Sequence, residues 1–218
     1  MRRLVLATGN PDKVREIEDV FRPLDLPVVA VTCLIQGWAV AETADTLAGN
    51  ALLKARAARV VTGETTISDD TGLFVDALDG APGVRSSRYA GFDATYADNV
   101  RALLEALRGV PEADRSARFR TLVALVRADG EEREFGGELR GRILAAPRGD
   151  RGFGYDPVFF VPEEGRTLAE LPLDRKNAIS HRARAFRAAA GFLVAHPEWL
   201  GDARGAGGQV PPSFDSRD

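Results

Sequence analysis

Arg3-Leu4-Val5-Leu6-Ala7-Thr8-Gly9-Asn10-Pro11-Asp12-Lys13 begins with an apolar run and breaks into turn formers after Ala7. Residues 3–7 read as a buried strand and Thr8 to Pro11 as a turn. A helix over 12–22 follows, with Val14, Ile17, Phe21 and Leu24 on one face. Asn10 suits a helix cap and Pro11 a first helical position. The alternation continues with a strand at 27–34 and a loop at 36–45. A helix comes next at 46–62, with Leu47, Ala51, Ala55 and Ala58 inward and Gly63 closing it, then a strand at 65–68. The second half differs: strands at 117–127 and 132–143 flank Ala128-Asp129-Gly130-Glu131, which predicts a hairpin. Strand–helix units followed by a hairpin give an α/β fold with a mixed rather than a parallel sheet.

Between these blocks the pattern predicts a short strand at 73–78 and a helix at 94–108 capped by Asp93. That helix carries Tyr96, Val100, Leu103 and Leu107 at helical spacing. A loop at 152–157, a strand at 158–161 and a last helix at 180–195 capped by Ser180 complete the order. The last helix turns Ala183, Phe186, Ala190 and Leu193 inward. Residues 201–218, rich in Gly, Pro, Ser and Asp, read as a disordered tail after a single domain spanning 1–200.

With 218 residues, 44% of them hydrophobic, the chain can bury a substantial core. No apolar run approaches the ~20 residues of a membrane span. The net charge of −3 gives no basic excess for long nucleic acids. The single Cys33 cannot form an internal disulfide and suits a reducing cytoplasm; its apolar neighbours predict a buried position. The 29 basic residues include only three lysines, Lys13, Lys54 and Lys176. Arg and Lys differ in size and donor geometry, so these positions are candidates for a required ammonium; chance is the other reading.

Four segments carry candidate chemistry. The Thr8–Lys13 junction offers free backbone N–H groups and the positive end of a helix, a ready phosphate site, and also reads as an ordinary capped turn. Ser68-Asp69-Asp70-Thr71-Gly72 places two acids at a strand end, where they repel unless a cation compensates; the readings are a Mg²⁺–phosphate site or a plain turn. Successive strand residues point to opposite faces, so the two acids are expected to take different roles. Phe153-Gly154-Tyr155-Asp156-Pro157 offers aromatics to stack on a base, or to cap the core. Lys176-Asn177-Ala178-Ile179-Ser180-His181-Arg182 brings cations into a helix N-terminus, where they oppose its dipole unless an anion or carbonyl is near; solvent exposure is the alternative.

Taken in order, Leu-Ala-Thr-Gly-Asn (6–10), Asp-Asp-Thr-Gly-Leu (69–73), Gly-Phe-Gly-Tyr-Asp-Pro (152–157) and Ile-Ser-His-Arg (179–182), with the Asn50–Lys54 helix, resemble the inosine triphosphate/xanthosine triphosphate pyrophosphatase family. The resemblance runs from about residue 3 to 195, and all three lysines fall within matching segments. It implies an elongated mixed sheet flanked by helices, with two lobes and a central cleft, in a homodimer. It implies Mg²⁺-dependent cleavage of ITP, dITP or XTP between the α and β phosphates, giving monophosphate and pyrophosphate.

By the same resemblance, Thr8, Gly9, Asn10 and Lys13 would hold the triphosphate with Lys54 in support. Asp70 would be general base and metal ligand, Glu42 a second metal ligand and Asp69 a supporting acid. Thr71, where the family usually has Ser, would donate to phosphate or base. Phe153, Gly154, Tyr155 and Asp156 would line the base pocket, and Lys176, His181 and Arg182 would read base carbonyls. The chain departs from the pattern at Ala41 and Gly49, where acids are frequent, and at Arg85, where Tyr is common. Maf-like pyrophosphatases acting on dTTP or UTP share a related start but lack the Phe-Gly-Tyr-Asp and Ser-His-Arg segments. A nucleotide-binding regulator without turnover is the reading from another class.

Overall fold

The computed structural model describes residues 3–24 and 26–201. Eight strands form one open, mixed sheet in the order β2-β1-β3-β5-β6-β7-β8, with β4 paired to β3 off that path. β1 (Leu4–Leu6) runs parallel to both β2 (Val28–Ala30) and β3 (Thr66–Val75). β3, β5 (Ser116–Val126) and β6 (Glu132–Ile143) form a long antiparallel centre. β4 (Pro82–Gly83), β7 (Phe159–Val161) and β8 (Arg166–Thr167) are short. The helices are α1 (Pro11–Phe21), α2 (Leu47–Thr62), α3 (Tyr96–Ala106), α4 (Leu173–Ile179) and α5 (His181–Ala195).

The alternation of β3 decides what covers each face of the sheet. Ile67 joins Leu4, Leu6, Ile17, Phe21, Val123 and Phe186 in a core between the sheet and helices α1 and α5. The even positions face α2 instead: Thr66 and Ser68 donate their hydroxyls to the carbonyls of Ala55 and Ala51. Small residues on α2 make that approach possible; Ala51, Ala55 and Ala58 are fully buried. A second core at the other end of the long strands gathers Leu73, Val75, Leu103, Leu107, Phe119, Ile143 and Phe159. Two cores along one sheet make the two lobes.

Several expectations are corrected. β3 continues through Asp69, Asp70 and Gly72 to Val75, because every residue from Thr66 to Val75 pairs with β5; the acids lie mid-strand, not at a strand end. β2 stops at Ala30 and the chain turns in a 3-10 segment at Val31–Cys33, which leaves Cys33 exposed rather than buried. Leu24 lies past the end of α1 and is 37% exposed. Helix α3 is capped by Thr95, not Asp93, in a reciprocal capping box with Asp98. β4, β8 and α4 were not read from the sequence. The expected tail beyond Gly201 lies outside the described residues. Among the described residues, no helix is long and apolar enough to cross a membrane.

Candidate active site

A cleft of about 370 Å³ opens between the lobes. One end is the turn after β1. Asn10 caps α1 by accepting from the backbone N–H groups of Asp12 and Lys13. A β-carbon at Gly9 would meet only the Thr32 side chain, at 3.9 Å. Packing within the chain therefore does not demand glycine there, and close approach of a ligand is the remaining reason for it. Thr8, Gly9, Asn10 and Lys13 all line the cleft.

Asp69 and Asp70 divide between the two faces of β3. Asp69, fully buried beneath the cleft, receives Lys13 Nζ at 2.9 Å, Arg182 Nε at 3.4 Å and the Thr71 hydroxyl at 3.1 Å, all on Oδ2. Burial alone would raise its pKa, but the charges of Lys13, Arg182 and Lys54 outweigh this and hold it well below the usual carboxylate range. Asp70 lies on the α2 face and lines the cleft. Its oxygens accept from Thr71 N at 3.0 Å and Asn50 Nδ2 at 3.1 Å, and Lys54 Nζ stands 3.8 Å away. Burial, with the nearby Glu42 charge, raises its pKa despite Lys54. Glu42 holds Lys54 Nζ at 2.5 Å and lies 3.6 Å from Arg88.

Gly49 explains one departure. A β-carbon there would come within 2.6 Å of the Ala44 β-carbon, so this loop leaves no room for an acid before Asn50. Asn50 is buried on the inward face of α2 and locks the loop by accepting from Ala44 N while donating to Asp70.

The far end of the cleft rests on a buried chain of alternating charge. Beyond Asp69, Arg182 pairs with Glu16, Glu16 with Lys176 at 2.7 Å, and Lys176 with Asp156. Burial pushes Glu16 up, but Arg182 and Lys176 hold it below its ordinary pKa. Lys176 lies behind this wall rather than on the cleft lining, while Asp156, His181 and Arg182 reach it. Asp156 Oδ2 also accepts from Phe153 N at 2.9 Å, so it shapes the aromatic loop from behind. Tyr155 donates its hydroxyl to Ser86 O at 2.9 Å, and burial raises its pKa.

Burial, with Arg182 and Lys176 adding to it, drives His181 well below its ordinary pKa, so it is neutral and not the cation expected from sequence. It stacks on Phe119 at 4.5 Å and 13°, and its buried Nδ1 has no partner among the described residues. Helix α5 reaches this position because Gly137 on β6 has no side chain. A β-carbon there would lie 2.1 Å from the carbonyl oxygen of His181.

Sequence reasoning missed Glu16, Gly137, Asn99 and Tyr96 as parts of the site. Glu16 had one available signal: it sits one turn from Lys13 at a position flanked by the apolar Ile17. Asn99 fixes the 86–90 segment through Ala90 N and Ser87 O.

This is a cleft with a phosphate-type turn at one end, an aromatic and arginine wall at the other, and an acid between them. A family model described as the Ham1 family matches residues 4–192. The chain belongs to the Ham1 family. A dITP/XTP pyrophosphatase of Geobacter sulfurreducens is 46% identical over 92% of this chain and 99% of its own length. A dITP/XTP pyrophosphatase of Shigella flexneri is 48% identical over 86% of this chain and 95% of its own. Among solved structures, the HAM1 protein of Coxiella burnetii superposes with a TM-score of 0.81 at 41% identity, covering 89% of this chain and all of the other. The mixed α/β fold of this Ham1 chain is thus the fold of its relatives.

Proposed function

We propose that this Ham1 protein hydrolyses non-standard purine nucleoside triphosphates, dITP, ITP and XTP, to the monophosphate and pyrophosphate. The observation that carries the reading is the placement of the two adjacent acids, Asp69 beneath the cleft against Lys13 and Arg182 and Asp70 on its lining beside Lys54. Asp69 is neutralised from below, while Asp70 faces the cleft with a raised pKa, as a group that takes up a proton should. Lys13, Lys54 and Arg182 gather around the same acids. Burial first, and then the charges of Lys54 and Arg182, lower Lys13 below its ordinary pKa despite Asp69. A polyanion beside Lys13 would favour its ammonium form.

In this reading the Thr8–Asn10 turn and the start of α1 hold the triphosphate through backbone N–H groups, with Lys13 and Lys54 beside it. Asp70 takes the proton of the water that attacks the α-phosphorus. The bond to the β-phosphate breaks, and the charge left on pyrophosphate is met by the two lysines. Arg182 and the neutral His181 present polar groups toward the base. Hypoxanthine and xanthine carry an oxygen at the 6-position where adenine has an amine. A buried donor left facing the amine costs about 1–3 kcal/mol.

Mg²⁺ is the cofactor of this reading. Among the described residues no three His, Cys, Asp or Glu side chains form a cage. Two hard carboxylates, Glu42 and Asp70, do line the cleft, and each Asp70 oxygen accepts only one hydrogen bond from the chain. That donor set suits Mg²⁺, which is commonly held by one or two carboxylates together with phosphate oxygens and water. When bound, the ion would neutralise phosphate charge and polarise the P–O bonds. The reading also takes residues 1–200 as one catalytic domain, acting as a homodimer in the cytoplasm with neither a membrane nor long nucleic acid as partner.

The test is pyrophosphate release from ITP, dITP, XTP, GTP, ATP and dTTP, with and without Mg²⁺. Turnover of the first three well above the rest, only with Mg²⁺, is expected. Binding of ITP without pyrophosphate release would instead mark a regulator.

A further inference from the structure

Phe153 is the aromatic expected to stack on the purine, yet its ring is already occupied. Lys176 Nζ lies 5.0 Å and Arg182 Cζ 5.2 Å from its centroid, and the ring of Tyr96 packs against it at 5.8 Å with a 39° tilt. A base that takes the place of one of these neighbours on the ring needs a neighbour that can leave. The two cations are fixed by buried ion pairs to Glu16, Asp156 and Asp69. Tyr96 is 44% exposed, and its tether is one neutral hydrogen bond, in which Asn10 Nδ2 donates to its hydroxyl at 3.1 Å. Tyr96 is therefore the least tied of the three neighbours.

Its backbone is set by α3 and its side chain by a tether to the turn before α1. Tyr96 is the first residue of α3, directly after its cap Thr95 and within the Thr95–Asp98 capping box. Its tether, Asn10, belongs to the phosphate turn, so the same amide would be drawn away by an arriving triphosphate.

We propose that Tyr96 is a positioning residue that stands in for the purine in the free protein, holding Phe153 closed over the base site until a nucleotide displaces it. This rests on the pyrophosphatase reading. A closed state that excludes ligand reduces apparent affinity by the fraction that is open, and it does so equally for every ligand.

The experiment compares Tyr96→Ala, Tyr96→Phe and the unsubstituted protein. It measures KM and kcat for ITP, XTP and GTP with Mg²⁺, and the Kd for inosine monophosphate by calorimetry. Tyr96→Ala is expected to lower KM by roughly fivefold, by the same factor for each nucleotide, and to lower the monophosphate Kd in parallel. Tyr96→Phe keeps the ring and loses the tether; it is expected to shift both constants in the same direction by roughly twofold, and it serves alone if the alanine variant fails to fold. A raised KM would make Tyr96 a clamp on bound base, and a factor that differs between bases would make it a specificity contact; either overturns the proposal, as does an unchanged KM. Failure of the unsubstituted protein to release pyrophosphate from ITP overturns the pyrophosphatase reading and the proposal with it. Normal turnover with an unmoved KM overturns the proposal alone.

Discussion

Asp69 and Asp70 are neighbours in sequence, yet they belong to different regions of the molecule. The α1/α5 side of β3 carries a closed chain, Lys13–Asp69–Arg182–Glu16–Lys176–Asp156, in which cation and anion alternate and every member is buried or nearly so. The α2 side carries a looser group, Asp70 with Lys54, Glu42 and Arg88, that opens to the cleft. In the first region every charge has an opposite charge beside it, and Asp69 itself lies beneath the cleft while Lys13, Arg182 and Asp156 reach its lining. In the second, Asp70 faces the cleft with one neutral donor on each oxygen and its nearest cation 3.8 Å away, which is why the proposed chemistry is placed there. The difference follows from the period of two along a strand, which sends adjacent side chains to opposite faces.

The comparison is broken most severely at Asp70. Asp70→Asn is expected to lower kcat by roughly 10²–10⁴-fold while leaving the melting temperature close to that of the parent, since it removes a charge that burial disfavours. Pyrophosphate release and a thermal melt check both halves, and retained turnover would remove Asp70 from the role of base. Asp69→Asn is expected to act in the opposite way. It leaves Lys13 and Arg182 buried with one anion fewer, a loss of about 3–5 kcal/mol, or a fall of roughly 6–20 °C in melting temperature. An unchanged melt would mean that the buried chain does not hold the fold.

The smallest expected effect, and the sharpest contrast, is in pH dependence. The folded pKa of Asp69 lies below its unfolded value, so its stabilisation is present above the unfolded pKa and is lost as pH falls toward the folded one. The folded pKa of Asp70 lies above its unfolded value, so protonation favours the folded state and stability falls as pH rises through that window. Melting curves of the two Asn variants across the acid range should therefore diverge from the parent with opposite slopes.

Much of this was legible in the chain itself. Local patterns placed β1, α1, α2, the β5–β6 hairpin and α5, because apolar periodicity and caps such as Asn10, Gly63 and Ser180 act within a few residues. The motif order pointed to the family and to the residues of the cleft. Local signals failed where long-range pairing decided: Asp69-Asp70-Thr71-Gly72 resembles a turn, yet ten consecutive pairs with β5 hold it straight. They failed again for Cys33, whose exposure depends on where β2 ends.

Sequence by itself determined that two acids stand side by side after an apolar strand, in a chain that also carries a capped strand–helix turn, an aromatic loop and lysines at only three points among its arginines. Only the tertiary structure decided which acid faces the cleft. That choice depends on what packs against each face: α5, admitted by the bare backbone of Gly137, brings Arg182 beneath Asp69, whereas α2 offers Asp70 a neutral amide and a lysine already shared with Glu42. Charge balance in a buried site is a property of contacts between distant segments, and no local stretch of chain encodes it.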